Sequence, residues 1–312
     1  MFADDYPRFI ELSESTPEWQ DHRPNRRSAS EQRSRMNERY EALFASNRDI
    51  LEGARVLDLA SHDGRYSFAA LKTGAAHVTG VEVRQSLIDR AQEAFAFYGQ
   101  DPATYRFVCG DMFEVLAREK FDVDVVLCFG FLYHTYRHTE LMYRLHNLAP
   151  RHLIVDTMVT RETRRTLKVI RERDVEDIRS AAQDAWAVRQ VLVLRPSVPA
   201  LRMLLRSYGF EIESMYDWKG RLNGRPPVPG VDGYAKGTRV SLRCRSREPA
   251  ITPGWERVAT LPTAVGPRPH KGGRKPSPTP PPAQSAGEWR ERVNKMLAKA
   301  TGYELRRAST KR

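Results

Sequence analysis

The stretch Val56-Leu-Asp-Leu-Ala-Ser-His-Asp-Gly-Arg-Tyr-Ser67 decides the fold. A β-rich run enters a turn carrying Gly64, and helical periodicity resumes near Tyr66, so strand, tight turn and helix follow one another directly. Working outward, the alternation repeats. Strands are expected over 55–59, 77–83, 105–109, 123–129 and 152–157, with a helix over 86–98 whose apolar Leu87, Ile88, Ala91, Ala94 and Phe95 share one face. Such alternation builds an open α/β sheet with ligands at the carboxyl ends of its strands.

Beyond residue 160 the rhythm changes. Residues 161–190 are highly charged and helical in composition, with Arg161, Arg164, Arg165, Lys168, Arg171 and Arg173 forming either a solvated face or a lid for an anionic substrate. Pro196-Ser197 opens a helix that stops at Gly209, and strands follow over 210–215 and 238–244. The loop between these strands is rich in Gly and Pro, so they read as an antiparallel pair at a sheet edge. Tyr216, Trp218, Lys219 and Arg221 lead into that loop, where substrate contacts are common. A helix over 31–50 is expected to lie across the sheet.

Composition sets outer limits. The 312 residues carry a net charge of +12, but residues 267–312 hold 12 Lys+Arg against 3 Asp+Glu, a balance of +9, leaving +3 for the body. Seven of the 20 prolines fall between Pro267 and Pro282, which makes that stretch an extended linker rather than core. The expected division is an N-terminal helical cap (1–50), an α/β domain (51–248), a Pro/Gly-rich linker (249–285) and a basic amphipathic tail helix (286–312) with Trp289, Val293, Met296, Leu297 and Ala300 on one face. The tail suits docking on a partner or membrane surface ahead of RNA. The longest apolar run, near Val125 to Tyr133, is about half of a membrane span. The acidic start, Met-Phe-Ala-Asp-Asp, has no signal-peptide character. Cys109, Cys128 and Cys244 lack disulfide or metal spacing and fit a reducing cytoplasm as small buried hydrophobes.

Four acids mark the predicted strand ends: Asp58 and Asp63 on the first loop, Glu82 after the second strand, and Asp111 after the third. A dinucleotide site would carry GxGxxG, whereas Gly64 is the only glycine in this turn, and a carboxylate rim would repel a diphosphate. The rim welcomes a ligand with an ammonium, a ribose diol, an exocyclic amine and a sulfonium, a set that S-adenosylmethionine combines. Asp58 and Asp63 suit its methionine end, Glu82 the ribose and Asp111 the adenine. Helix capping is the alternative for each acid singly.

On these residues the chain resembles class I S-adenosylmethionine-dependent methyltransferases over roughly residues 30–245. Asp58 to Gly64 corresponds to the family's first motif, with Ala60 and Ser61-His62 in place of usual glycines. Glu82 matches the ribose-binding acid and Gly110-Asp111-Met112 the adenine loop. The resemblance implies a Rossmann-like, doubly wound, mostly parallel seven-stranded sheet with an antiparallel edge strand. A narrower series, Cys128-Phe-Gly-Phe-Leu-Tyr-His134 with Leu153–Thr157 and Pro196-Ser197, resembles the subgroup containing tRNA wobble-uridine carboxymethyltransferases. It implies that Phe129 flanks the cofactor and Tyr133 contacts its methionine end. The basic N-terminal residues that hold a carboxylated cofactor in those enzymes find no match in residues 1–50, so ordinary S-adenosylmethionine is expected.

Methyl transfer needs nucleophile, methyl and sulfur in line, and a base only where the nucleophile carries a proton. Tyr133 and His134 are the candidate catalytic residues. His134 and His138 lack a third neighbouring ligand, so no metal site is expected. Asp156 either touches substrate or caps a helix. The near-neutral body favours methylation of a small-molecule or glycan hydroxyl; the alternatives are tRNA modification and a non-catalytic S-adenosylmethionine-binding protein. No DNA partner and no transmembrane segment are expected.

Overall fold

The computed structural model describes residues 1–14, 28–172 and 191–247, all within one compact unit, Met1–Thr252. Its strands in chain order are β1 (Arg55–Leu59), β2 (His77–Glu82), β3 (Tyr105–Cys109), β4 (Val125–Phe129), β5 (His152–Met158), β6 (Leu167–Arg171), β7 (Leu192–Pro196), β8 (Phe210–Met215) and β9 (Arg239–Ser246). Seven of them form one sheet in the order β3-β2-β1-β4-β5-β9-β8. The first five run parallel, and β9 runs antiparallel to both β5 and the edge strand β8. Helices cover both faces, which is why β4 can be apolar and buried at every position. The mostly parallel, seven-stranded Rossmann-like architecture is therefore present.

The order explains where a site forms. From β1 the chain steps outward through β2 to β3, then returns to place β4 on the other side of β1. At that reversal the loops after β1 and β4 diverge and leave a crevice at the carboxyl edge.

The N-terminal residues are built into this body. Short helices Phe2–Asp5 and Arg8–Glu14 precede the helix Ala29–Leu43, which opens on a capping box between Ser28 and Glu31. Phe2 stacks on Tyr40 at 4.7 Å, and Phe9 packs against Phe68 at 5.2 Å. The expected helix over 31–50 is broken after Leu43 by a 3-10 turn at Ala45–Asn47.

Two expectations change. Within 161–172 there is no helix: β6 pairs antiparallel with β7 in a separate two-stranded sheet, and Arg161, Arg164, Arg165, Lys168 and Arg171 are exposed. The β-branched pair Val169-Ile170 between Lys168 and Arg171 suits a strand better than the charge count suggested. Residues 173–190 lie outside the described residues, as do the linker and tail expected over 249–312. Secondly, Cys109 is exposed while Cys128 and Cys244 are buried, because β3 is an edge strand. Among the described residues no helix is long and apolar enough to cross a membrane.

Phe9 tests whether the N-terminal helices belong to the core. It is 1% exposed, so Phe9→Ala should cost about 3–5 kcal/mol in urea denaturation. A loss below about 1 kcal/mol would show that these helices only rest on the sheet.

Candidate functional site

The turn after β1 is held open by backbone conformation. Ala60, His62 and Gly64 take positive φ of 52°, 54° and 71°. Ala60 and His62 thus adopt the left-handed geometry that a glycine would take freely, at a cost of about 1–2 kcal/mol each. The loop is pinned in return: Ser61 N–H donates to Val81 O at 3.0 Å and His62 N–H to Glu82 Oε2 at 3.1 Å. Gly64 has a packing role as well, since a Cβ there would lie 2.7 Å from the Cβ of Ala91.

The four acids differ sharply in how much of their bonding capacity is spent. Glu82, buried at the end of β2, accepts His62 N–H on Oε2 and Arg84 N–H on Oε1, both at 3.1 Å. Asp58 lies inside β1 rather than past its end, buried, and accepts the Ser67 hydroxyl at 2.7 Å. Burial, with Glu82 and Asp63 nearby, pushes its carboxyl up to about 7 despite that bond. Asp63 is paired with Arg65, whose Nε lies 2.8 Å from Oδ1. Although burial opposes it, Arg65 beside Asp63 holds that carboxyl far below the usual range. Asp111 is half-buried and caps the helix Met112–Arg118 through Oδ1, accepting from Phe113 N–H at 2.9 Å and Glu114 N–H at 3.2 Å. Met112 is buried behind it, as is Ser61 in the first loop, whose hydroxyl has no partner.

Across β1, at the carboxyl end of β4, Phe129 is fixed edge-on by Tyr66 at 5.6 Å and Phe44 at 5.7 Å. Gly130 follows, and then a 3-10 turn, Leu132–His134, presents Tyr133. Arg239 Nη1 donates to the Tyr133 hydroxyl at 3.4 Å. Burial would raise this phenol, but Arg239, then His134 and Arg35, bring it down to about 7. His134 Nδ1 lies 3.3 Å from Glu172 Oε2, so that ring nitrogen is engaged by a carboxylate. His138 opens the next helix and meets the Leu132 carbonyl at 2.7 Å, on a different element from His134.

Asp156 does not cap a helix. It is fully buried and accepts four groups: Arg39 Nη2 at 2.8 Å, Arg239 Nε at 2.6 Å, Tyr234 OH at 2.7 Å and Ser241 Oγ at 2.7 Å. Trp218, expected on a substrate loop, is core: it stacks on Tyr234 at 3.8 Å and donates Nε1–H to Ser241 Oγ at 3.0 Å. Tyr216 packs against it, Arg221 pairs with Glu38 at 2.9 Å, and Lys219 is exposed. The sequence reading missed Arg35, Arg39 and Arg239 altogether. The i, i+4 spacing of Arg35 and Arg39 on one helix face was the available signal.

A protein-family model described as a methyltransferase domain matches residues 56–149. Ribosomal RNA large subunit methyltransferase I of Aeromonas hydrophila is 35% identical over 80 residues, 24% of this chain and 20% of that one. The match thus spans about one-fifth of that relative's length. Magnesium protoporphyrin IX methyltransferase of Synechocystis, solved with bound S-adenosylmethionine, is 16% identical, with a TM-score of 0.48 over 78% of this chain and 94% of that one. The 1,6-didemethyltoxoflavin-N1-methyltransferase of Burkholderia thailandensis, solved with 1,6-didemethyltoxoflavin and S-adenosylhomocysteine, is 18% identical, with a TM-score of 0.47 over 78% of this chain and 89% of that one.

The Asp156 cluster yields a stability prediction. Asp156→Asn strands Arg39 and Arg239 in the interior and should cost about 3–5 kcal/mol. Arg239 and Arg39 depress this carboxyl against the pull of burial. Its contribution to stability is therefore present above the ordinary carboxylate value near pH 4 and lost as pH falls below it. A urea midpoint unchanged by Asp156→Asn at pH 7 would contradict this.

Proposed function

We propose that this chain is a class I methyltransferase that binds S-adenosylmethionine and methylates a hydroxyl of a small molecule or glycan. Glu82 carries the reading. Each of its oxygens already accepts one backbone N–H, which fixes the carboxylate and leaves each oxygen free to accept one of two adjacent ribose hydroxyls. A diphosphate in the same place would meet a buried anion.

The remaining residues fit around that anchor. Asp58, whose carboxyl is pushed up to about 7, gains from an ammonium nearby, which favours its charged form. Asp63, already neutralised by Arg65, shapes the Ala60–Gly64 loop instead of receiving that ammonium. Asp111 keeps Oδ2 for an exocyclic amine, with Met112 and Phe129 as apolar walls. When bound, the cofactor supplies a sulfonium methyl as the electrophile. Tyr133 removes the acceptor's proton: its hydroxyl ionises near neutral pH and Arg239 stabilises the resulting phenolate. His134, held by Glu172, sets the pose of the Tyr133 ring, whose centroid lies 4.2 Å from its own.

Calorimetry checks the first half. S-adenosylhomocysteine should bind and NAD should not, and Glu82→Ala should weaken binding by about 1–3 kcal/mol. A folded Glu82→Ala protein with unchanged affinity would move the ribose site elsewhere. Transfer of labelled methyl checks the second half. The rate should rise with pH through about 7, and Tyr133→Phe should remove that limb and lower kcat roughly 100-fold or more. Methyl incorporation into bulk tRNA instead of small hydroxylated acceptors would replace this substrate class with RNA.

A further inference from the structure

The charge around Tyr133 does not balance. Arg35, Arg39 and Arg239 gather there, yet Asp156 is the only carboxylate bonded to any of them among the described residues. Arg39 and Arg239 share that one carboxylate. Arg35 meets no carboxylate, and its Nε is buried without a hydrogen-bond partner. The Nε of Arg39 and the Nε2 of Gln32 are likewise buried and unpartnered. Gln32, Arg35 and Arg39 stand at i, i+3 and i+7 on the helix Ala29–Leu43, so these spare donors share one helical face. Burial, then the neighbouring Arg39, lowers Arg35 to about 10, and Arg239 adds to the effect.

An unpaired guanidinium inside a protein is costly unless a ligand completes it. Asp156 offsets one of three positive charges, and ionised Tyr133 would offset one more. Two positive charges remain without an anion when the phenol is neutral, and one when it is ionised. Guanidinium groups with free N–H donors suit a planar or tetrahedral oxyanion.

We propose that Arg35 and Arg239 bind an oxyanion, a carboxylate or phosphate, carried by the methyl acceptor. The inference rests on the methyltransferase reading above and names the acceptor as a small hydroxylated acid. Position supports the acceptor as the carrier. Glu82 ends β2, whereas Asp156 lies in β5, and β1 and β4 intervene. Three strand spacings put the two groups about 14 Å apart. Only a few bonds separate a ribose diol from the sulfonium, so the arginines lie past the methyl, on the side the acceptor enters. A Cβ on Gly130, just after β4, would lie 3.6 Å from Arg239 Nη2 and 3.8 Å from the Tyr133 hydroxyl. The base and the anion-binding group therefore flank the same glycine, so an acceptor held by its anion presents a nearby hydroxyl to Tyr133.

The test uses the full chain saturated with S-adenosylhomocysteine. Benzoate, inorganic phosphate and neutral benzamide are titrated into wild type, Arg35→Gln and Arg35→Lys. Benzoate or phosphate should bind wild type at least tenfold more tightly than benzamide, lose that advantage in Arg35→Gln, and regain part of it in Arg35→Lys. Affinity for S-adenosylhomocysteine should stay within twofold in all three proteins. Because Arg35 has no hydrogen bond or ion pair among the described residues, Arg35→Gln should melt at the same temperature as wild type or higher, which a merely structural arginine would not do. Equal binding of benzoate, phosphate and benzamide by wild type would overturn the proposal. So would an Arg35→Gln protein that keeps the full preference for benzoate and phosphate over benzamide. Failure of wild type to bind S-adenosylhomocysteine would instead overturn the methyltransferase reading on which the proposal rests.

Discussion

Asp156 is the constraint around which the β4–β5 side of the crevice is arranged. One fully buried carboxylate on β5 accepts from the helix Ala29–Leu43 through Arg39, from β9 through Arg239 and Ser241, and from the short helix Asp232–Ala235 through Tyr234. Its desolvation is tolerable only because four donors converge on it. The same contacts tie the helix Ala29–Leu43, the Trp218–Tyr234 stack and the start of β9 to β5, and Arg221 on Glu38 adds a second tie between the helix and the Trp218 segment. Arg35 is brought along by its place on that helix, four residues before Arg39.

The crevice consequently has two electrostatic halves. On the β1–β2 side, Asp58, Asp63 and Glu82 are buried, Arg65 pairs with Asp63, Arg84 Nη1 lies 3.8 Å from Glu82, and the backbone N–H groups of His62 and Arg84 fix Glu82. On the β4–β5 side, guanidinium groups outnumber carboxylates. A cationic cofactor and an anionic acceptor would each find the opposite charge, and the two halves would bring them together across Gly130 and Tyr133. Left-handed Ala60 and His62 show the local strain that the first half sustains to keep its loop in place.

The sheet was legible because its strands and helices alternate with distinct periods, and because Gly64 and Glu82 sit at positions where a turn and a strand end demand them. The β4–β5 half of the crevice was not, for identifiable reasons. Arg35 and Arg39 belong to a helix crowded with charge, and the usual fate of such a face is solvent. Nothing local shows that Asp156, more than a hundred residues later, will draw Arg39 inward. Trp218 lies beside a Gly- and Pro-rich loop and reads as surface until Tyr234 stacks on it. The pairing of Asp63 with Arg65 needed only a two-residue look ahead, but whether the two side chains face each other depends on the unusual φ of the loop. In β6 the charge count outweighed the Val169-Ile170 pair, and the strand became visible only with its partner β7.

A structure of the protein crystallised with S-adenosylhomocysteine tests this division of the crevice most directly. The account predicts the ribose hydroxyls on Glu82, Arg65 still bonded to Asp63, and the sulfur turned toward Gly130 with the space between Arg35 and Arg239 left for solvent or an ion. A ligand lying among the arginines with its ribose away from Glu82, or an amino group that displaces Arg65 from Asp63, would contradict it.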